Sequence, residues 1–126
     1  MKIAVAQQNY HIGNFSANVQ KIIHGITEAR SKGADLVLFS ELSICGYPPR
    51  DFLEFDDFID KCRAALDQIK VHTTDIAVLV GAPDRNPDPK GKDLFNAAFF
   101  LFEGEVRDVV YKTCLPTYDV FDEYRY

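Results

Sequence analysis

No run of apolar residues in this 126-residue sequence is long enough to cross a bilayer, and Met1-Lys2-Ile3 leads straight into strand-like sequence instead of a signal peptide. The expected address is therefore the cytoplasm. Basic clusters are missing as well: 14 Lys and Arg stand against 19 Asp and Glu, for a formal net charge of -5. A phosphate backbone needs a positive face, so nucleic acid is not an expected partner. Cysteine is scarce and unpatterned. Cys45, Cys62 and Cys114 are an odd, widely spaced set without a CxxC step, and His11, His24 and His72 have no ligand spacing. This argues for reduced thiols and against both a disulfide framework and a zinc site. Internal repeats, low-complexity tracts and a P-loop are also lacking.

What is present is core material. Apolar residues make up 47% of the chain, with ten phenylalanines, enough for one globular domain. Residues 2–8 are short, apolar and β-prone and run into a turn at His11-Ile12-Gly13-Asn14. Over residues 15–32, Val19, Ile22, Ile23 and Ile26 fall at helical spacing, with Asn14 or Ser16 as N-cap and Gly33 as the stop. Residues 35–39 read as a second buried strand. Two apolar strands joined by a helix form a right-handed βαβ unit with parallel strands, which sets the class as α/β.

Residues 40–51 contain Gly46, Pro48 and Pro49 and are expected to form an irregular loop of fixed course. A second helix follows, with Phe55, Phe58, Ile59, Cys62, Leu66 and Ile69 on its apolar stripe and Asp56, Asp57, Asp60, Lys61 and Asp67 on its wet side. Residues 76–80 read as a third buried strand ended by Gly81-Ala82-Pro83, and residues 84–93 as a solvated loop. Residues 94–102 and 106–111 flank Glu103-Gly104-Glu105 and predict an antiparallel hairpin, so the sheet is mixed. The last segment, residues 112–126, has the composition of a site loop more than of a tail.

In open α/β sheets, functional groups collect beyond the carboxyl ends of strands. Glu41 lies just past the second strand and Lys112 directly after the last one. A carboxylate and an ammonium brought together there can act as general base and oxyanion stabiliser. The same two residues also read as ordinary charges at element ends, or as a structural ion pair.

Two blocks add to that reading. Ser40-Glu41-Leu42 with Gly46-Tyr47-Pro48-Pro49-Arg50-Asp51, and Tyr111-Lys112 with Leu115-Pro116-x-Tyr118-x-Val120-Phe121-Asp122-Glu123-x-Arg125, resemble consecutive active-site blocks of the nitrilase superfamily. They are most similar to its glutaminase branch, found in glutamine-dependent NAD synthetases. A Glu with a nearby Gly-Tyr is common to nitrilases at large, whereas the Pro-Pro-x-Asp extension and the second run are more specific.

The resemblance implies the N-terminal half of a four-layer α-β-β-α sandwich, with Glu41 as general base and Lys112 steadying a tetrahedral oxyanion. It also implies supporting or substrate-binding roles for Tyr118 and Glu123. The family nucleophile is a cysteine on a later strand-to-turn junction, so residues 1–126 are expected to be a partial glutaminase domain that ends before it. Neither Cys45 nor Cys114 sits in a nucleophile elbow, and Cys62 belongs to the core. The implied substrate is glutamine and the implied partner is a synthetase domain of the same polypeptide. ATP and magnesium would be used in that domain, with no cofactor or metal in this one. A homo-oligomer is also expected, since half a sandwich exposes apolar strands. The alternatives are another nitrilase-type amidase or carbamoylase, and a non-catalytic α/β binding module.

Overall fold

The computed structural model describes residues 1–116 and 126. Its elements in chain order are β1 (Ile3–Val5), α1 (Phe15–Ser31), β2 (Leu36–Leu38), a 3-10 turn (Arg50–Glu54), α2 (Asp56–Lys70), β3 (Ala77–Arg85), β4 (Leu94–Phe102) and β5 (Glu105–Tyr111). The five strands form one sheet in the order β1-β2-β3-β4-β5. Strands β1, β2 and β3 are parallel, and β4 and β5 are added antiparallel. The mixed α/β class is as expected. Because β5 runs antiparallel to β4, it points the same way as β1 to β3, and its carboxyl end reaches the same edge of the sheet as theirs.

Both helices lie on one face. Helix α1 begins at Asn14, whose side chain accepts from the Ala17 N–H, and it ends just before Gly33, whose φ of +78° only glycine adopts freely. It buries Val19, Ile22, Ile26 and Ala29, while α2 buries Phe58, Ile59, Cys62, Leu66 and Ile69. Opposite them stand Val37, Val78, Val80, Ala97, Phe99 and Leu101, the alternate residues of β2, β3 and β4. Each large side chain removed from water there contributes about 1.5–3 kcal/mol. Phe55 departs from expectation: it is the N-cap of α2 rather than a member of its stripe, and it is exposed.

The other face of the sheet carries no helix among the described residues. Ile3, Val5 and Val110 are exposed there, and Leu36, Leu38, Leu79 and Phe100 are only half-buried.

The hairpin forms where expected, turning through Glu103 and Gly104, both with positive φ. Strand β3 does not stop at Gly81-Ala82-Pro83 but continues to Arg85. The register explains why. The Lys112 N–H donates to the Asn96 carbonyl at 2.9 Å, so the main-chain groups of Asn96 point to β5. Its partner Pro83 therefore turns its nitrogen away from β4 and deprives that ladder of no donor.

Candidate active site

The loop after β2 is held by main-chain groups that β3 has to spare. Strand β2 ends at Leu38, so beyond Leu79 the flank of β3 is open to residues 40–46. Gly81 donates its N–H to Ser43 Oγ at 3.3 Å and accepts from the Ile44 N–H at 3.1 Å. The contact is close enough to require glycine: a Cβ at Gly81 would stand 2.4 Å from the Leu42 nitrogen. Leu42 itself takes a positive φ of 49°. On the other side, buried Asn18 of α1 accepts from the His11 N–H at 3.0 Å and donates to the carbonyls of His11 at 2.8 Å and Ile44 at 3.1 Å. One amide thus ties the loops after β1 and β2 to the helix. Behind them lies Tyr10, whose hydroxyl donates to Gln8 Oε1 at 2.9 Å; burial pushes its pKa up to about 12, against a smaller lowering by Ser40.

Lys112 is located from the other side of the sheet edge. Tyr111 packs its ring on Phe95 with centroids 4.3 Å apart and donates its hydroxyl to Asp84 at 3.0 Å, on the helix side. Successive residues of an extended chain alternate faces, so Lys112 turns to the open side. There its Nζ meets Glu41 Oε1 at 2.7 Å. The pair is partly solvated, with side-chain exposures of 32% for Lys112 and 43% for Glu41.

A third residue joins them. Asn96 of β4 donates its Nδ2 to the same Oε1 of Glu41. Sequence reasoning had passed over Asn96, although a lone amide in the otherwise apolar run of β4 was the available signal. Among the described residues the other oxygen, Oε2, carries no hydrogen bond. Glu41, Asn96 and Lys112 line a depression of about 300 Å³ whose floor includes Leu79, Gly81 and Ala98. A tighter apolar cavity of about 140 Å³, bounded by Tyr47, Pro49, Leu94, Leu115 and Tyr126, shares Asn96 with the depression. Proton transfer needs the carboxylate, so the depression is the candidate site.

The other residues read from the sequence separate into two groups. Tyr118 and Glu123 lie outside the described residues. Cys45 and Cys62 are both buried, and Cys45 lies beside Cys62. The hydrogen bond with the Cys62 thiol, burial and charge repulsion raise the Cys45 pKa well above its ordinary value, the wrong direction for a nucleophile. Cys114 is exposed. No group of three His, Cys, Asp or Glu poised for a metal occurs among the described residues, and no helix there is long and apolar enough to cross a membrane.

A carboxylate and an ammonium in contact at the carboxyl edge of a mixed α/β sheet define a class, and the chain belongs to it: residues 2–122 match the carbon-nitrogen hydrolase family. It is also similar to a group of longer proteins. The chain is 40% identical to the glutamine-dependent NAD(+) synthetase of Synechocystis sp., over 98% of its own length and 23% of that protein's. To the Aquifex aeolicus enzyme of the same name it is 40% identical over 100% of its length and 22% of the relative's. The chain therefore spans about a quarter of the length of these relatives. Among solved structures, the glutamine-dependent NAD+ synthetase of Acinetobacter baumannii superposes with a TM-score of 0.90 at 37% identity, covering 98% of this chain and 23% of that one. A Nesterenkonia AN1 amidase of the nitrilase superfamily superposes with a TM-score of 0.74 at 26% identity, covering 92% and 44%.

Proposed function

We propose that this chain supplies the base and the oxyanion cation of a glutaminase site, within a protein that uses the released ammonia to convert deamido-NAD to NAD. The observation that carries the reading is the 2.7 Å contact of Lys112 Nζ with Glu41 Oε1, beside the depression that both residues line. The relatives' names and the better superposition on a synthetase favour glutamine over other small amides.

The chemistry follows from the two groups. A cysteine thiol not among residues 1–126 gives its proton to Glu41 and attacks the carboxamide carbon of glutamine. The electron pair displaced onto the carbonyl oxygen is held by the Lys112 ammonium. As the tetrahedral species collapses, the C–N bond breaks and Glu41 returns its proton to the departing ammonia. Glu41 then takes a proton from water, which attacks the thioester; the C–S bond breaks, glutamate leaves, and Glu41 passes that proton to the departing sulfur, so the thiol and the carboxylate are both restored. In this reading Tyr118 is a substrate-binding aromatic and Glu123 a second acid that supports the site. ATP and magnesium would act in a synthetase domain of the same polypeptide. The assembly is cytoplasmic and a homo-oligomer.

The test is glutamine hydrolysis by the polypeptide that joins this chain to its nucleophile, read as ammonia released. Glu41→Gln is expected to abolish turnover, and Lys112→Met to lower it about 100-fold or more. Unchanged hydrolysis in both variants would leave only a binding role for this sheet edge.

A further inference from the structure

Strand β4 is apolar along nearly its whole length, yet it carries an amide at Asn96, a residue type that strands disfavour. Its location gives the reason. The Asn96 side chain reaches Glu41, and its main-chain carbonyl accepts from the Lys112 N–H at 2.9 Å, so a single residue touches both members of the pair by different ends. We propose that Asn96 is a positioning residue that selects which oxygen of Glu41 receives the thiol proton. This inference rests on the reading of Glu41 as the base.

Two donors, Lys112 Nζ and Asn96 Nδ2, converge on Oε1. The amide must present its NH2 here, because its oxygen would repel a carboxylate. With both bonds in place, Oε1 is engaged and Oε2 is the oxygen left to take a proton. Lys112 by itself does not set this choice. An ammonium on a four-carbon stem is a point charge without the fixed fork of a guanidinium, so it does not distinguish the two oxygens of a carboxylate. The short side chain of Asn96, mounted on a strand paired on both edges, gives the second fixed direction that stops the rotation. Productive proton transfer requires the accepting oxygen within hydrogen-bond reach of the thiol, so an unconstrained carboxylate spends part of its time turned away.

The experiment uses the polypeptide that joins this chain to its nucleophile, with Asn96→Leu as a donor-free replacement of similar size and Asn96→Gln as a replacement that keeps an amide. Glu41→Gln is the control, and kcat, KM for glutamine and the melting temperature are measured for each. Asn96→Leu is expected to lower kcat by about 10- to 100-fold, the usual loss for one hydrogen bond to a charged group. KM should stay within about twofold, because a positioning residue acts through Glu41 and not on the substrate. Asn96→Gln should recover part of kcat. The proposal is overturned if Asn96→Leu keeps wild-type kcat while Glu41→Gln is inactive, or if the loss appears in KM alone, which would make Asn96 a substrate contact. Equal losses in both Asn96 variants together with a lowered melting temperature would reduce it to a structural role. Hydrolysis that survives Glu41→Gln would instead remove the underlying reading of the base.

Discussion

At the scale of single residues, ionisation and burial decide which groups are available for chemistry. Cys45 and Cys62 are sealed in the core and Cys114 is exposed. Of these three thiols, an aromatic disulfide reagent near neutral pH should therefore label Cys114 alone in the native protein and all three after unfolding; rapid labelling of Cys45 would contradict the packing found around it. Tyr10 predicts an alkaline limit. Its folded pKa is raised to about 12, whereas in the unfolded chain it ionises near the ordinary tyrosine value of 10.0. The stability this contributes is fully present below pH 10 and is lost as the pH rises through 12. Tyr111, raised by its hydrogen bond to Asp84, acts in the same direction. Denaturant melts across that range should show a steep fall that Tyr10→Phe makes shallower. Glu41 and Lys112 were legible as candidates because strand ends are where an α/β sheet gathers its chemistry. Asn96 is marked in the sequence only as a lone amide in an apolar strand, and its partner becomes known only once the neighbour across the sheet edge is in place.

At the scale of elements, the decisive feature is the seating of the loop that bears Glu41 on β3. Gly81→Ala places a methyl group 2.4 Å from the Leu42 nitrogen, a backbone atom that gives way only if the loop moves. The expected cost is about 1–3 kcal/mol of stability, with a larger loss of glutamine hydrolysis than any loss of fold. A variant with wild-type turnover would show that Glu41 does not depend on this seat. The sequence marked Gly81 as the end of a strand, because glycine and proline usually interrupt one. Here the same residues let a strand continue beside a loop. Gly81 makes room, and Pro83 sits where its nitrogen faces away from β4.

At the scale of the whole molecule, the two faces of the sheet differ in what covers them. One is closed by α1 and α2, while the other presents Ile3, Val5, Leu79, Phe100 and Val110. Apolar surface of this kind drives association unless another element covers it. A protein of these 126 residues alone should self-associate, seen as a sedimentation coefficient that rises with concentration, and Val5→Lys with Val110→Lys should suppress the effect. A concentration-independent monomer would argue against it. The sequence by itself determined the elements and their order, because helical and strand periodicity and turn chemistry are written in neighbouring residues. It likewise determined the two charges at strand ends. Only the tertiary structure decided that β5 brings Lys112 back beside Glu41, that Asn96 reaches the same oxygen, and that the free thiol of Cys45 lies beside that of Cys62. Those contacts join residues far apart in the chain, and their distances follow from strand register and packing, which no local pattern encodes.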